Sequence, residues 1–480
     1  MDDPNRCVNR FYFTSNGKCN LFLYLPWFQG RNWKLEKTRR PGLARSSSNG
    51  KRNETKIIFY APNCLEISCL TKTFFSFNVQ KPEIQNMKHT FLLFGLLIFI
   101  CITSCERIEP VHKNDNIGSI NIEFDDAIPA DYKIKVDFFV SDGGEMVDYE
   151  GKAERRGGSS MSFPKHSFEI DLNKDIPLLN LPKDDDWILN ANYIDKTFLR
   201  HVVSYELFMA MNDKNEASQC VYVKVQLNSV YNGLYVLMEK LDKSSLDING
   251  KDSAAVIFKE PHLFRKSYEN LIPQYEDNFH QQTFPKIEDK NKAHLIEEIG
   301  EFILTSSDKV FSKRISSIFD MENIIDWHLL LLISNNSDGI LKNFYLYKTD
   351  ANTPVRIAPW DYDHSFGRDG DNELNLDERP LKMERSILFS RLLQFNWYKL
   401  LLKNRWEKLN ASGILSEQAL KQRIVEKSAE VRELTIKNFE MWPVNSSWYY
   451  DSNSFDQEIG IMLRFIELRH SRLREYFNGL

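Results

Sequence analysis

Ile333-Ser334-Asn335-Asn336-Ser337-Asp338-Gly339-Ile340-Leu341-Lys342-Asn343-Phe344-Tyr345-Leu346-Tyr347 is the stretch on which the fold turns. The apolar run Leu329–Ile333 in front of it predicts the end of a helix, and the alternation after Asn343 opens a strand. Outward on the C-terminal side, 343–368 reads as a β-hairpin, and from about Ser386 to the end the pattern is helical. On the N-terminal side, helix is predicted from about Lys292 to Ile333. Farther upstream the period changes to two: Ile120-Asn121-Ile122-Glu123-Phe124 alternates, and β continues over 150–172 around a Gly/Ser-rich turn. One helix is predicted over Lys196–Met211. A hairpin follows, with Val221–Leu227 and Gly233–Met238 flanking the turn-rich Asn228–Asn232. This order predicts an α+β fold of two lobes with a cleft between them: a β-rich part at 119–245, a mainly helical part at 246–480, and a connector near 240–255.

The chemistry is concentrated in and after the opening stretch. Asp338 and Asn343 are spaced D-x-x-x-x-N, as in the catalytic loop of protein kinases, where the Asp orients the acceptor hydroxyl and the Asn binds magnesium. That spacing alone arises by chance in most long chains. Shortly after it comes Pro359-Trp360-Asp361-Tyr362-Asp363-His364-Ser365-Phe366-Gly367. Two carboxylates at i and i+2 of a strand point to one face. Burying such a pair without a cation is costly, and oxygen ligands suit Mg2+ or Ca2+. The sequence shows no His/Cys cluster spaced for zinc. Taken alone, a D-x-D turn is usually a solvated loop. The order is what points to phosphoryl transfer: a Gly/Ser loop with Lys165, a helix with Glu206, a hairpin, the D-x-x-x-x-N, then the acidic pair.

The chain has 480 residues, 42% hydrophobic and 27% charged, enough to bury a core. Its net charge of −5 argues against a nucleic-acid partner, and no apolar run reaches the ~20 residues of a bilayer span. The average hides an asymmetry. Residues 1–86 carry 14 Lys+Arg against 6 Asp+Glu, a net of +8, which leaves −13 for the remainder. Six of the seven cysteines lie in the first 105 residues. At the join, Met87-Lys88-His89-Thr90 precedes the apolar Phe91–Ile102 and then Thr103-Ser104-Cys105. This is signal-peptide anatomy. Its ending resembles a bacterial lipobox, with Ser104 where Ala or Gly is usual. The expectation is a lipoprotein leader at 87–104, lipidation and membrane attachment at Cys105, and a tether over 105–118. Residues 1–86 show no sustained period and are expected to be untranslated upstream sequence or disordered, Met87 being the start. A genuine basic extension is the alternative. Cys220, the one cysteine beyond Cys105, reads as a buried structural thiol.

Five blocks, in order, resemble the CotH kinase family of atypical protein kinases over about residues 150–440. They are Arg156-Gly157-Gly158-Ser159-Ser160 through Phe163-Pro164-Lys165-His166-Ser167-Phe168; Trp187–Arg200; Tyr231–Lys240; Asn343–Tyr347; and Pro359–Gly367. The resemblance implies a protein-kinase-like bilobal fold that transfers the γ-phosphoryl of ATP, with Mg2+, to Ser or Thr of secreted or coat proteins. By position it implies Asp338 as the catalytic Asp and Asp361 as a magnesium ligand, with Asn343 and Asp363 beside it. It makes Lys165 the lysine on the ATP phosphates and Glu206 its partner. Arg156 and Gly157 would lie near the phosphates and Glu239 near the adenine. Two positions depart from the pattern: Ser337 stands where ordinary kinases have Arg, and Gly158 where the family often has Asn. The expected setting is the bacterial cell envelope, outside the cytoplasm. Two other readings stay open: a non-catalytic surface lipoprotein that holds a partner, and a calcium-stabilised adhesin using the acidic pair and Asp369-Gly370-Asp371-Asn372-Glu373.

Overall fold

A computed structural model describes residues 117–265, 278–368, 383–444 and 451–480, with the backbones of three short strands, β1 (Tyr12–Phe13), β2 (Lys18–Asn20) and β3 (Ser76–Asn78). The chain divides into two compact units, Met1–Glu109 and Pro110–Leu480. In the first, β1–β3 form an antiparallel sheet. The expected leader, Cys105, all but the last two residues of the tether, and the acidic run 369–373 lie outside the described residues.

In the second unit, seven strands close into a barrel: β4 (Ser119–Glu123), β5 (Ile134–Ser141), β6 (Val147–Arg156), β7 (Ser167–Pro177), β8 (Lys183–Asn190), β9 (Cys220–Leu227) and β10 (Val230–Glu239). Their order is β10-β8-β7-β6-β5-β4-β9, and β9 pairs back to β10. All pairs are antiparallel except β4 with β9. Closure leaves no unpaired edge. Period two fills the interior: Ile120 and Ile122, Val136 and Phe138, Phe168 and Ile170, Trp187 and Leu189, Val223 and Val225, Tyr235 and Leu237 all point inward. The opposite faces of β8, β9 and β10 are buried as well. Ile188, Tyr222, Leu234, Val236 and Met238 belong to the helical core, so Leu234–Met238 reads as a continuous apolar run. Cys220 is half-buried against that core, and burial pushes its thiol pKa up.

Helix α1 (Arg200–Met211) connects β8 to β9 and is buried along most of its length. Beyond the barrel, β11 (Val256–Lys259), β12 (Gln282–Phe284), β13 (Phe344–Lys348) and β14 (Arg356–Pro359) form an antiparallel sheet in the order β12-β11-β13-β14. The helix-dominated stretch expected over 292–333 consists of three helices, α2 (Ala293–Thr305), α3 (Asp308–Ile318) and α4 (Met321–Ser334). The break before α4 is set by its N-cap, where the Asp320 carboxylate accepts from the N–H groups of Glu322 and Asn323. The apolar α4 ends at Asn335, whose φ of 56° is the left-handed conformation that Asn tolerates. That cap releases the chain into the Asp338 turn. The remainder is helical: α5 (Ile387–Leu392), α6 (Asn396–Ala411), α7 (Glu417–Met441) and α8 (Phe455–Gly479). The fold is mixed α+β. Among the described residues no helix is long and apolar enough to cross a membrane.

Candidate active site

A cleft of about 660 Å3 opens where the barrel meets the β13–β14 hairpin and the turn after α4. Arg156–Ser160, Ser167, Glu169 and Asn190 line it from the barrel, and His201 and Tyr205 from α1. Lys259 and Glu260 line it from β11 and the residue after, and Asp338, Lys342, Asn343, Trp360, Asp361, Asp363 and His364 from the helical side. Gly157 sits at φ 135°, and a Cβ there would fall 2.0 Å from Ser160 Oγ, so the loop after β6 turns tightly only because this residue is glycine.

Asp338 heads a one-turn 3-10 segment, its main-chain carbonyl accepting from Leu341 and Lys342. Its carboxylate pairs with Lys342 Nζ at 3.0 Å. Asn343, also left-handed at φ 61°, donates from Nδ2 to the Asp361 carbonyl at 2.9 Å. Its nitrogen thus fixes the loop, and its oxygen is the atom that could ligate a cation. The acidic pair is not on a strand, as its spacing suggested. β14 stops at Pro359, and Asp361 adopts φ 57° in a turn. The Asp361 N–H donates to Tyr205 Oη at 2.9 Å, and its Oδ1 lies 3.3 Å from His201 Nε2. One ligand atom from each of His201, Asp361 and Asp363 falls within 4.8 Å of the others.

The electrostatics separate the two carboxylates. Partial desolvation pushes Asp361 up, although about half of its side chain (52%) stays exposed. The His201 hydrogen bond and the charges of His201, His364 and Arg156 outweigh that push and hold its carboxyl below the usual carboxylate range. Desolvation prevails at Asp363, raising it, with the neighbouring Asp361 adding to the effect. Opposite them stand cations. Arg156 and Lys259 each lie 5.6 Å from the Trp360 ring, and burial with the nearby Arg156 charge lowers the Lys259 pKa.

Arg156, Gly157, Asp338, Asn343, Asp361 and Asp363 therefore share one cleft, whereas Lys165, Glu206 and Glu239 do not line it. Lys165 is fully buried. Its Nζ donates to the carbonyls of Ala191, at 2.8 Å, and Leu234, and sits 4.0 Å from the Tyr235 ring. Desolvation lowers its pKa strongly. The expected Lys165–Glu206 pair is absent: Glu206 pairs instead with Lys427 at 2.6 Å and Arg423 at 3.3 Å of α7. Glu239 is buried at the end of β10 and accepts from the Gln219 N–H at 2.9 Å, while its neighbour Met238 lines the cleft. The motifs also missed residues. His201 directly follows the Trp187–Arg200 block, and Tyr205 lies one helical turn on. Lys259 carries no motif signal; only the pairing of β11 with β13 brings it in.

The family model described as CotH kinase protein matches residues 153–473. The chain belongs to the CotH kinase family. It is also similar to the inner spore coat protein H of Bacillus subtilis (strain 168), with 21% identity over 301 residues, 61% of this chain and 78% of the relative. The CotH match contains every residue of the cleft described above, and it runs into α8. It begins within β6, so the barrel of this CotH-family chain closes with two strands, β4 and β5, that precede the match.

Proposed function

We propose that this CotH-family chain is a protein kinase that transfers the γ-phosphoryl of ATP to Ser or Thr hydroxyls of secreted or envelope proteins. The observation that carries the reading is the convergence of Asp338, Asn343, Asp361 and Asp363 on one cleft faced by Arg156 and Lys259. Phosphoryl transfer needs positioning and charge neutralisation more than covalent catalysis, and these residue types supply both. Asp338 orients the acceptor hydroxyl and takes its proton. Asp361 and Asp363, with the oxygen of Asn343, hold a divalent ion, for which Mg2+ is the default. Bound there, the ion neutralises charge on the phosphates. Arg156 at the end of β6 and Lys259 at the end of β11 face the same charge, Lys259 taking the part that the resemblance implied for Lys165. The net negative charge of the chain beyond residue 86 suits basic acceptors.

The test combines the purified protein with Mg2+, γ-labelled ATP and an envelope extract. The expected outcome is label on Ser or Thr, lost in both Asp338→Ala and Asp361→Ala. No transfer by wild type, with no ATP-dependent thermal shift, would favour the non-catalytic reading, a surface protein that holds a partner. The leader-like Met87–Cys105 supports attachment to the envelope through lipid on Cys105. Cells fed labelled fatty acid are expected to label wild type and not Cys105→Ala; equal labelling of both sinks the anchor.

A further inference from the structure

The sequence presented the acidic pair as an all-oxygen site. Folding adds an imidazole to it. His201, 160 residues upstream on α1, places Nε2 3.3 Å from Asp361 Oδ1, and its side chain is only 4% exposed. Its Nδ1 meets no hydrogen-bond partner among the described residues, so the whole polar contribution of this buried ring is made through Nε2 toward the acidic pair. One imidazole can balance one carboxylate at most. Asp363 accepts the His364 N–H at 2.9 Å, and the nearest cationic group to it is the His364 ring at 3.9 Å, too far for a hydrogen bond. The Asp361 backbone, at φ 57°, is held by the Tyr205 hydroxyl and the Asn343 amide, which positions its carboxylate beside His201. Ligands placed around one octahedral ion lie about 3–4.5 Å apart, and the atoms of His201, Asp361 and Asp363 fall within 4.8 Å of one another.

We propose that His201 Nε2 is a ligand of the cation held by Asp361 and Asp363, and that this mixed nitrogen–oxygen site selects a first-row transition ion, tested as Mn2+, over Mg2+. Mg2+ prefers six oxygens and gives up water reluctantly, whereas imidazole favours the transition ions. The inference rests on the phosphoryl-transfer reading only for the purpose the ion serves.

The experiment uses the full chain with Mn2+, alone and with ADP, and reads pulsed electron paramagnetic resonance. Bound Mn2+ is expected to show an imidazole nitrogen coupling that survives in His364→Gln. Half-displacement is expected to need at least a tenfold excess of Mg2+. His201→Gln offers an amide oxygen in place of the imidazole nitrogen and should lower the Mn2+-to-Mg2+ affinity ratio about tenfold. Absence of Mn2+ binding, absence of the nitrogen coupling in wild type, or an unchanged ratio in folded His201→Gln would each overturn the proposal. If the variant does not fold, the coupling in wild type decides. A protein that shows the coupling but transfers no label refutes the kinase reading alone. One that transfers label with no coupling refutes the His201 ligand alone.

Discussion

Glu239 shows how one buried carboxylate can govern stability without touching the cleft. Burial, with a smaller push from the acidic Asp184, Glu216 and Asp242, raises its pKa from the usual glutamate range to about 7, against the pull of the Gln219 N–H. The folded chain therefore binds this proton more tightly than the unfolded chain does. The site costs nothing below the unfolded pKa of about 4.3, and its cost is complete above the folded pKa. Stability attributable to Glu239 should fall as pH rises from about 4.5 to 7 and stay level beyond. Glu239→Gln keeps an acceptor for Gln219 and removes the ionisation. In denaturant melts across pH 4.5–8, the variant is expected to gain on wild type by on the order of 2–3 kcal/mol at the alkaline end. Parallel curves for the two proteins would contradict this account.

At the level of elements, one ionic cluster fixes the loop that carries the acidic pair. Arg200, the first residue of α1, donates from Nε to the Ser365 carbonyl at 2.9 Å and pairs with Asp195 and, at 3.1 Å, with Glu458 of α8. Arg368 reaches the same Glu458. Burial opposes the charge on Glu458, yet the two guanidinium groups outweigh it and hold its pKa below the ordinary value. Glu458→Ala removes the carboxylate the two arginines share and leaves Arg200 with Asp195 and Arg368 with Asp451 at 3.5 Å, a break of a buried network that costs about 3 kcal/mol. A loss under 1 kcal/mol by chemical denaturation would show that the cluster does not hold α1, α8 and the loop together. None of this was legible in the text, since Arg200, Ser365 and Glu458 are joined only by the fold. What the text did carry was local. Alternation at Ile120–Phe124 marked β4, apolar periodicity marked α1, and turn residues marked the β9–β10 hairpin. It misplaced the acidic pair on a strand because i, i+2 spacing cannot reveal the left-handed turn at Asp361. It gave Lys165 to the cleft because the residues that enclose it, Tyr235 and Leu234, lie about 70 positions away.

Across the whole unit, the barrel and the helices share a core instead of resting against each other. Ile188, Tyr222, Leu234, Val236 and Met238 point out of the barrel into the cluster that also contains Trp327, Leu330 and Phe344. Polar contacts close the same joint: Asn438 Oδ1 of α7 accepts from the Leu234 N–H at 3.2 Å, and Trp442 Nε1 donates to the Asn232 carbonyl at 2.9 Å. Gly233 is required there, because at φ 116° a Cβ would stand 2.4 Å from Asn438 Oδ1. Stripping the helices from the barrel would expose five large apolar side chains at about 1.5–3 kcal/mol each, comparable to the total stability of an ordinary domain. The barrel segment 117–245 expressed alone is therefore expected to show no cooperative melt. In the full chain, Trp187 inside the barrel and Trp327 in the helical core should lose their environments in one transition. Single-tryptophan variants followed by fluorescence against denaturant test this directly. Two separated midpoints, or a cooperatively melting 117–245 fragment, would mean that the barrel is an independent domain and that the cleft forms by docking two finished parts.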